Sequence, residues 1–353
     1  MYDIVLAFIT AFLMTFFAIP SIISVARKKH LVDVPDERKA HNVSTPSLGG
    51  IGIFAGTLFS IVLWTPFSYF GNLQYILCAF LIVFLIGAKD DIDPIAPWKK
   101  MLGQIFAAGI LIFFSEIRIT HFYGVLGITE APLFLSVLVT LFTIVLIINA
   151  FNLIDGIDGL SGSIAILMGI TFGTWFFLVD RIEMASIAFA LSGSVLAFLH
   201  YNITPAKIFM GDTGSLFIGL TASILAINFI EHHQHLTDPK FVFRAPPAVA
   251  VGVLIIPLFD TLRVFTTRMI KGRSPFKPDR NHIHHLLLNS GLSHMQSTFC
   301  LVVVNLFFIG ICFYFDTLST LQLLILLLLL ATLLTAILYA VIYLQSSKKL
   351  RTS

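Results

Sequence analysis

The chain has 353 residues, 57% of them hydrophobic and 12% charged, with a formal net charge of +3 and a mean hydropathy of +0.94. Soluble globular domains carry about 25% charged residues, so this composition excludes a soluble enzyme, leaves no role for a nucleic-acid partner, and defines a polytopic membrane protein. Cys78, Cys300 and Cys312 all lie inside apolar runs without ligand spacing and are read as space-filling.

A spanning helix needs about 20 apolar residues. In chain order, eleven runs are expected to span, centred in 2–26, 47–70, 73–88, 101–115, 132–150, 161–179, 183–200, 211–230, 246–268, 297–315 and 319–344. The expected fold is an all-α integral membrane protein in which residues 1–353 form a single transmembrane domain. The first run is too long for a signal-peptide core and has no basic residue before it, so it is expected to remain as a helix. The Leu321–Leu330 run is biased enough to be lipid-facing helix and little else.

Orientation follows from the cations. With the N-terminus outside and the C-terminus in the cytoplasm, 18 of the 22 Lys and Arg fall on the inner side, leaving Arg118, Arg181, Lys240 and Arg244 outside. The inner loops, at about 27–46, 88–100, 150–160, 200–212 and 269–296, then form a basic face suited to anionic membrane lipids or a nucleotide.

The first inner loop carries Arg38, Lys39 and His41, then Gly49-Gly50 at a helix start, where glycines can expose N–H groups to phosphate. The second holds Asp90, Asp91 and Asp93, followed by Lys99 and Lys100. Three acids so close repel one another unless a cation offsets them, which favours divalent-metal or pyrophosphate chemistry over a plain turn.

The third loop is Asn149-Ala-Phe-Asn152-Leu-Ile-Asp155-Gly-Ile-Asp158-Gly. If helical, Asn152, Asp155 and Asp158 share a face, and Gly156 and Gly159 let a ligand or another backbone approach. We read it as the floor of an anionic-substrate and metal site; an Asp N-cap would explain one acid but not the pair with the Asn.

In the fourth loop, Asn202 and Phe209-Met-Gly-Asp212-Thr-Gly-Ser215 lead into a helix. Asp212 is either an N-cap or a hard oxygen ligand, and Phe209 can stack on a base; magnesium suits a set with few carboxylates, because substrate phosphates complete its shell. Asp260 and Arg263, one turn apart, read as an internal ion pair rather than a substrate contact. The fifth loop ends in Arg280-Asn-His282-Ile-His284-His285, which fits phosphate and sugar contacts better than zinc. His232-His233-Gln-His235 falls on the outer side and is read as a decoy.

Taken together, Asp-Asp-x-Asp at 90–93, Asn-x-x-Asn-x-x-Asp-Gly-x-Asp-Gly at 149–159, Phe-x-Gly-Asp-x-Gly-Ser at 209–215 and His-x-His-His at 282–285 resemble the polyprenyl-phosphate N-acetylhexosamine-1-phosphate transferases, over residues from about 30 to 292. The resemblance implies transfer of an N-acetylhexosamine 1-phosphate from a UDP-sugar to undecaprenyl phosphate at the cytoplasmic face of a bacterial inner membrane. UMP would be released, with Mg2+ as cofactor and Mn2+ as its substitute; a homodimer is left open. Carried over by position, Asn152 and Asp212 would hold magnesium, and Asp155, Asp158, Asn202 and Phe209 would line the nucleotide. Asp90 and Asp91 would sit at the acceptor phosphate, Lys100 at the pyrophosphate, and Arg280, His282, His284 and His285 over the sugar and diphosphate.

The loop with Arg38, Lys39 and His41 and the Arg280 to His285 form resemble the N-acetylglucosamine branch, which starts teichoic acid, O-antigen or capsule chains. The muramoyl-pentapeptide branch ranks second. A secondary transporter, the reading from another class, would place acids near the midplane in paired repeats; here they lie at one surface and no repeat is visible. The expected mechanism is direct attack of the lipid phosphate, with Asp90 orienting the acceptor and removing any residual proton; an ordinary Asp is a poor base, although crowding by Asp91 and Asp93 could raise its pKa. A covalent aspartyl-phosphate route is the alternative.

Overall fold

The computed structural model describes residues 2–31, 45–67, 70–236, 238–272 and 281–352. Arg38, Lys39, His41 and Arg280 lie outside the described residues.

Every expected apolar run contains a helix. In order these are α1 (Tyr2–Lys28), α2 (Gly49–Trp64), α3 (Leu73–Ile92), α4 (Pro97–Phe113), α5 (Leu133–Ile154), α6 (Leu160–Leu178), α7 (Ile182–Asn202) and α8 (Gly211–His232). Then come α9 (Pro246–Val253), α10 (Ile255–Ile270), the short α11 (Ile283–Asn289), α12 (His294–Tyr314) and α13 (Thr320–Thr352).

Among the described residues, seven helices are long and apolar enough to cross a membrane, and α9 with α10 would add an eighth as one broken span bent by 85°. This is fewer than the eleven spans expected. The second run ends early, at Trp64, leaving a helix of only 16 residues, and the ninth is cut at Leu254. The carbonyl of Val253, freed by that break, accepts a hydrogen bond at 3.0 Å from the fully buried Asn305 of α12, as a membrane interior requires.

The bundle is organised around α8. Its residues from Thr213 to Ile227 are all buried, and α2, α3, α5, α6, α7 and α9 pack on it. α13 is the opposite case: Leu328, Leu329 and Leu333 are exposed, as its Leu-rich composition leads one to expect. Polar side chains tie α1 to α2 where little water reaches: Thr15 Oγ1 donates to the Gly52 carbonyl at 3.0 Å, and Trp64 Nε1 to Thr10 Oγ1 at 2.9 Å.

Gly49 and Gly50 do not offer their N–H groups to phosphate. Those donors are held by the carbonyls of Phe209 and Met210, at 2.9 and 2.8 Å. The glycines serve packing instead: a Cβ on Gly50 would lie 2.1 Å from the Gly214 nitrogen, and one on Gly87 would lie 2.5 Å from the Thr213 Cα. Small residues let helix backbones touch where lipid supplies no hydrophobic drive, and here they bring α2, α3 and the start of α8 into one knot. Gly50→Ala is expected to destabilise by about 1–3 kcal/mol or more through overpacking, read as a lowered Tm in detergent. Gly109→Ala in α4, where nothing lies within 4 Å of an added Cβ, should leave Tm unchanged.

Candidate functional site

The polar loops meet at the end of the bundle where α8 begins. Asp212 stands in the first turn of α8 with its carboxylate divided: Oδ1 accepts from Asn152 Nδ2 at 3.0 Å, and Oδ2 pairs with the Lys100 ammonium. Lys100, near the start of α4, also bridges to Asp90 Oδ2 at 2.6 Å, and Asp90 Oδ1 accepts from the Ile95 N–H at 2.8 Å. Asn152 shares its amide hydrogens with Ser215 Oγ at 3.0 Å. Asp212 is therefore not the N-cap of its helix.

That task belongs to Asp91. Neighbours on a helix point about 100° apart, and Asp91 turns away from Lys100 to accept from the N–H groups of Asp212 and Thr213, at 2.7 and 3.0 Å, and from Thr213 Oγ1 at 2.5 Å. It satisfies donors that a helix start leaves orphaned. Asp93 pairs instead with Lys89 at the exposed surface.

Asn152, Asp155 and Asp158 do not share a helix face. α5 ends at Ile154 and Asp155 is its C-cap, so only Asn152 is helical. Asp158 is buried at 8% exposure; its Oδ2 accepts from Thr204 Oγ1 at 2.7 Å and its Oδ1 lies 3.6 Å from His294 Nδ1. Asn202 is likewise spent on backbone: its carbonyl accepts from the Gly159 N–H at 2.8 Å and its amide donates to the Ile208 carbonyl at 2.9 Å. Both residues hold the loops in place. Phe209 ties its N–H to the Pro46 carbonyl at 2.7 Å.

The histidines join from α11. A Cβ on Gly156 would fall 2.4 Å from His284 Nε2, so the group that the glycine admits is this imidazole. His284 is buried, its ring 5.7 Å from that of His282 and 4.3 Å from that of His285. At the opposite end of the bundle from that motif, His233 stacks on Trp175 at 4.5 Å and His232 Nδ1 contacts Arg181 at 3.0 Å.

The charges are not evenly held. Burial acts to raise Asp90, but hydrogen bonds from Lys100 and the Ile95 N–H outweigh it and keep the carboxyl below its usual range, which corrects the expectation of a raised Asp90. Burial also opposes the charge on Lys100, yet Asp212 and Asp90 hold it above the usual lysine range. Burial pushes Asp91 up to about 6 in spite of its donors. For Asp158, burial is overcome by His294 and Thr204, and the carboxyl stays low. Asp155 is pushed up to about 8, first by burial and then by the negative charges of Asp212, Asp91 and Asp158. Burial, with His285 beside it, pushes His284 down to about 3, so it is neutral at pH 7.

This donor set fits a hard divalent cation. Asp155 receives no hydrogen bond from any described residue; burial first and then the neighbouring carboxylates disfavour its charged form, which a cation would stabilise. No closed cage of three or more His, Cys, Asp or Glu exists among the described residues; magnesium needs only one or two carboxylates. A raised folded-state pKa gives stability that is complete at low pH and is lost as pH rises through about 8. EDTA-treated protein should therefore melt at lower temperature at pH 8.5 than at pH 6, Mg2+ should recover more at the higher pH, and Asp155→Asn should flatten the difference.

Sequence reasoning missed Thr213, Ser215, Thr204, His294 and Gln104, which bonds Asn149 at 2.7 Å. Only Thr213 and Ser215 had a signal, through their place in the motif that follows Asp212.

Fold and site together define a polytopic integral membrane protein with one acid–amide–lysine centre at the end of its helices. The family model for glycosyl transferase family 4 matches residues 73–230. The chain is 30% identical over 314 residues to the decaprenyl-phosphate N-acetylglucosaminephosphotransferase of Mycobacterium leprae, covering 83% of this chain and 79% of that one. It is 33% identical over 283 residues to the undecaprenyl-phosphate alpha-N-acetylglucosaminyl 1-phosphate transferase of Haemophilus influenzae, covering 78% and 76%. To the Escherichia coli protein of that name it is 31% identical over 300 residues, covering 84% and 78%. The chain belongs to glycosyl transferase family 4 and groups with its polyprenyl-phosphate N-acetylglucosamine-1-phosphate transferases.

Proposed function

We propose that this protein transfers N-acetylglucosamine 1-phosphate from UDP-N-acetylglucosamine to undecaprenyl phosphate, releasing UMP and starting a cell-envelope polysaccharide. The observation that carries the reading is the meeting of separated loops on Asp212: Lys100 from α4, Asn152 from α5, and Asp91 at its backbone. The names of the relatives supply the sugar and the lipid. The site end also holds Arg27, Lys28, Lys89, Lys99, Lys207 and Lys271 at its helix ends and loops, which supports placing it at the cytoplasmic face of the inner membrane. With the N-terminus outside, this placement requires the shorter or more charged α2, α3 and α4 and the broken α9–α10 pair to cross as well as the seven long apolar helices, eleven crossings in all.

The chemistry is a displacement between two anions. An oxygen of the lipid phosphate attacks the β-phosphorus of the UDP-sugar, the bond to the α–β bridging oxygen breaks, and UMP leaves with that electron pair. The barrier is repulsion and alignment. A phosphate monoester with a second pKa near 6 is mostly dianionic at pH 7, so Asp90 need not act as a base, and its lowered pKa makes it a poor one. Asp90 instead aims Lys100, whose ammonium is held charged for the pyrophosphate. Asp212, Asn152 and Asp155 would hold Mg2+, which when bound offsets phosphate charge. Neutral His284 supplies a hydrogen bond rather than a positive charge.

The test is to incubate purified protein with undecaprenyl phosphate, Mg2+ and a panel of radiolabelled UDP-sugars. Lipid-linked label with matching UMP is expected for UDP-N-acetylglucosamine. Label only from UDP-muramoyl-pentapeptide, or from none, overturns the assignment.

A further inference from the structure

Asp260 and Arg263 form the ion pair read from the sequence, with Arg263 Nη2 at 2.8 Å from Asp260 Oδ1. The pair also grips the residues that open the histidine motif. Arg263 Nη2 donates to the Asn281 carbonyl, His282 Nδ1 lies 2.9 Å from Asp260 Oδ2, and the Ile283 N–H donates to Asp260 Oδ1 at 2.9 Å. Three consecutive residues are thus held by two side chains one turn apart on α10.

We propose that Asp260 is a positioning residue for the His282-Ile-His284-His285 motif, fixing the tautomer of His282 and, through it, the seat of His284 over the Asp155-Gly156 turn.

A carboxylate paired with arginine can only accept, so His282 Nδ1 carries the proton and Nε2 is the ring atom left for substrate. Asp260 is 1% exposed and His282 5%, so water cannot readily replace either partner. The rings of His282 and His284 lie nearly parallel, at 8°, and His284 rests against Gly156. A change at Asp260, on α10, is thereby passed to the loop that carries Asp155. Leu286 and Leu287 are buried on their own account, so α11 does not depend on the clamp alone for its packing.

The kinetic consequence rests on the transferase reading, whereas the tautomer does not. Asp260→Asn should lower kcat/KM by about 10- to 100-fold, the range for partners that orient a ligand-binding histidine, with Tm changed by only a few degrees. On a His282→Gln background the same substitution should cost no more than about 3-fold, because the two act as a unit. Effects that multiply, or a collapse of Tm that Asp260→Glu does not rescue, would show a merely structural carboxylate. Independently of turnover, protein labelled with 15N-histidine should show Nδ1–H at His282, assigned by its loss in His282→Gln, and this signature should shift in Asp260→Asn. An unchanged signature overturns the proposal even if transfer is measured, and a shifted one supports it even if no UDP-sugar is turned over.

Discussion

Replacing Asp212 by Asn is expected to lower kcat by about 1,000-fold or more without unfolding the protein, the scale of removing a principal electrostatic group from a phosphoryl-transfer site. Asn has the same shape and keeps an oxygen for Asn152 Nδ2, now 3.0 Å from the carboxylate. Lys100 keeps its second partner, Asp90, at 2.6 Å, so neither neighbour is stranded. What disappears is one negative charge at the place where α4, α5 and α8 converge. If that charge holds the cation, the variant also needs far more Mg2+ for any residual turnover, and its melting temperature no longer responds to EDTA. Wild-type turnover in Asp212→Asn would remove Asp212 from the centre of the chemistry and leave its contacts as scaffolding.

The same convergence explains what could be read beforehand. Apolar runs located every long helix, because a membrane demands continuous hydrophobic length, and the polar islands between them marked the loops. Periodicity said nothing of the end of α5 at Ile154, but the break at Leu254 had a signal in Pro257, which has no N–H for the Val253 carbonyl four residues before it. Asp91 was legible as a charged residue beside Asp90, but its use as a cap for α8 was not, since a cap supplied from 121 residues away in sequence leaves no local pattern. Asp158 and Asn202 were legible as polar residues in a motif, but not as braces whose bonds are spent on the protein itself. Asp260 was read as half of an ion pair; its grip on His282 needed the fold, because the two residues lie 22 positions apart in sequence and no local pattern joins them.

Gly156→Ala should lower turnover by about 100-fold while leaving the melting temperature within a few degrees of wild type. The added methyl would lie 2.4 Å from His284 Nε2 and 2.9 Å from its Cε1, so the imidazole must move by the better part of an ångström, a displacement that can cost two orders of magnitude in a site that works by alignment. Gly156 itself is exposed and its loop already ends a helix, so the backbone has little packing to lose. His284 is neutral and fully enclosed, and its Nδ1 has no hydrogen-bond partner among the described residues. A buried polar atom without a partner is costly, so the ring is held by its packing, and an added methyl acts on it directly. His284→Ala combined with Gly156→Ala should then be no worse than His284→Ala alone, because the methyl would enter the space the ring has left. A double variant slower than both singles would show that Gly156 serves another contact, and that the closeness of turn and ring is not what positions the histidine.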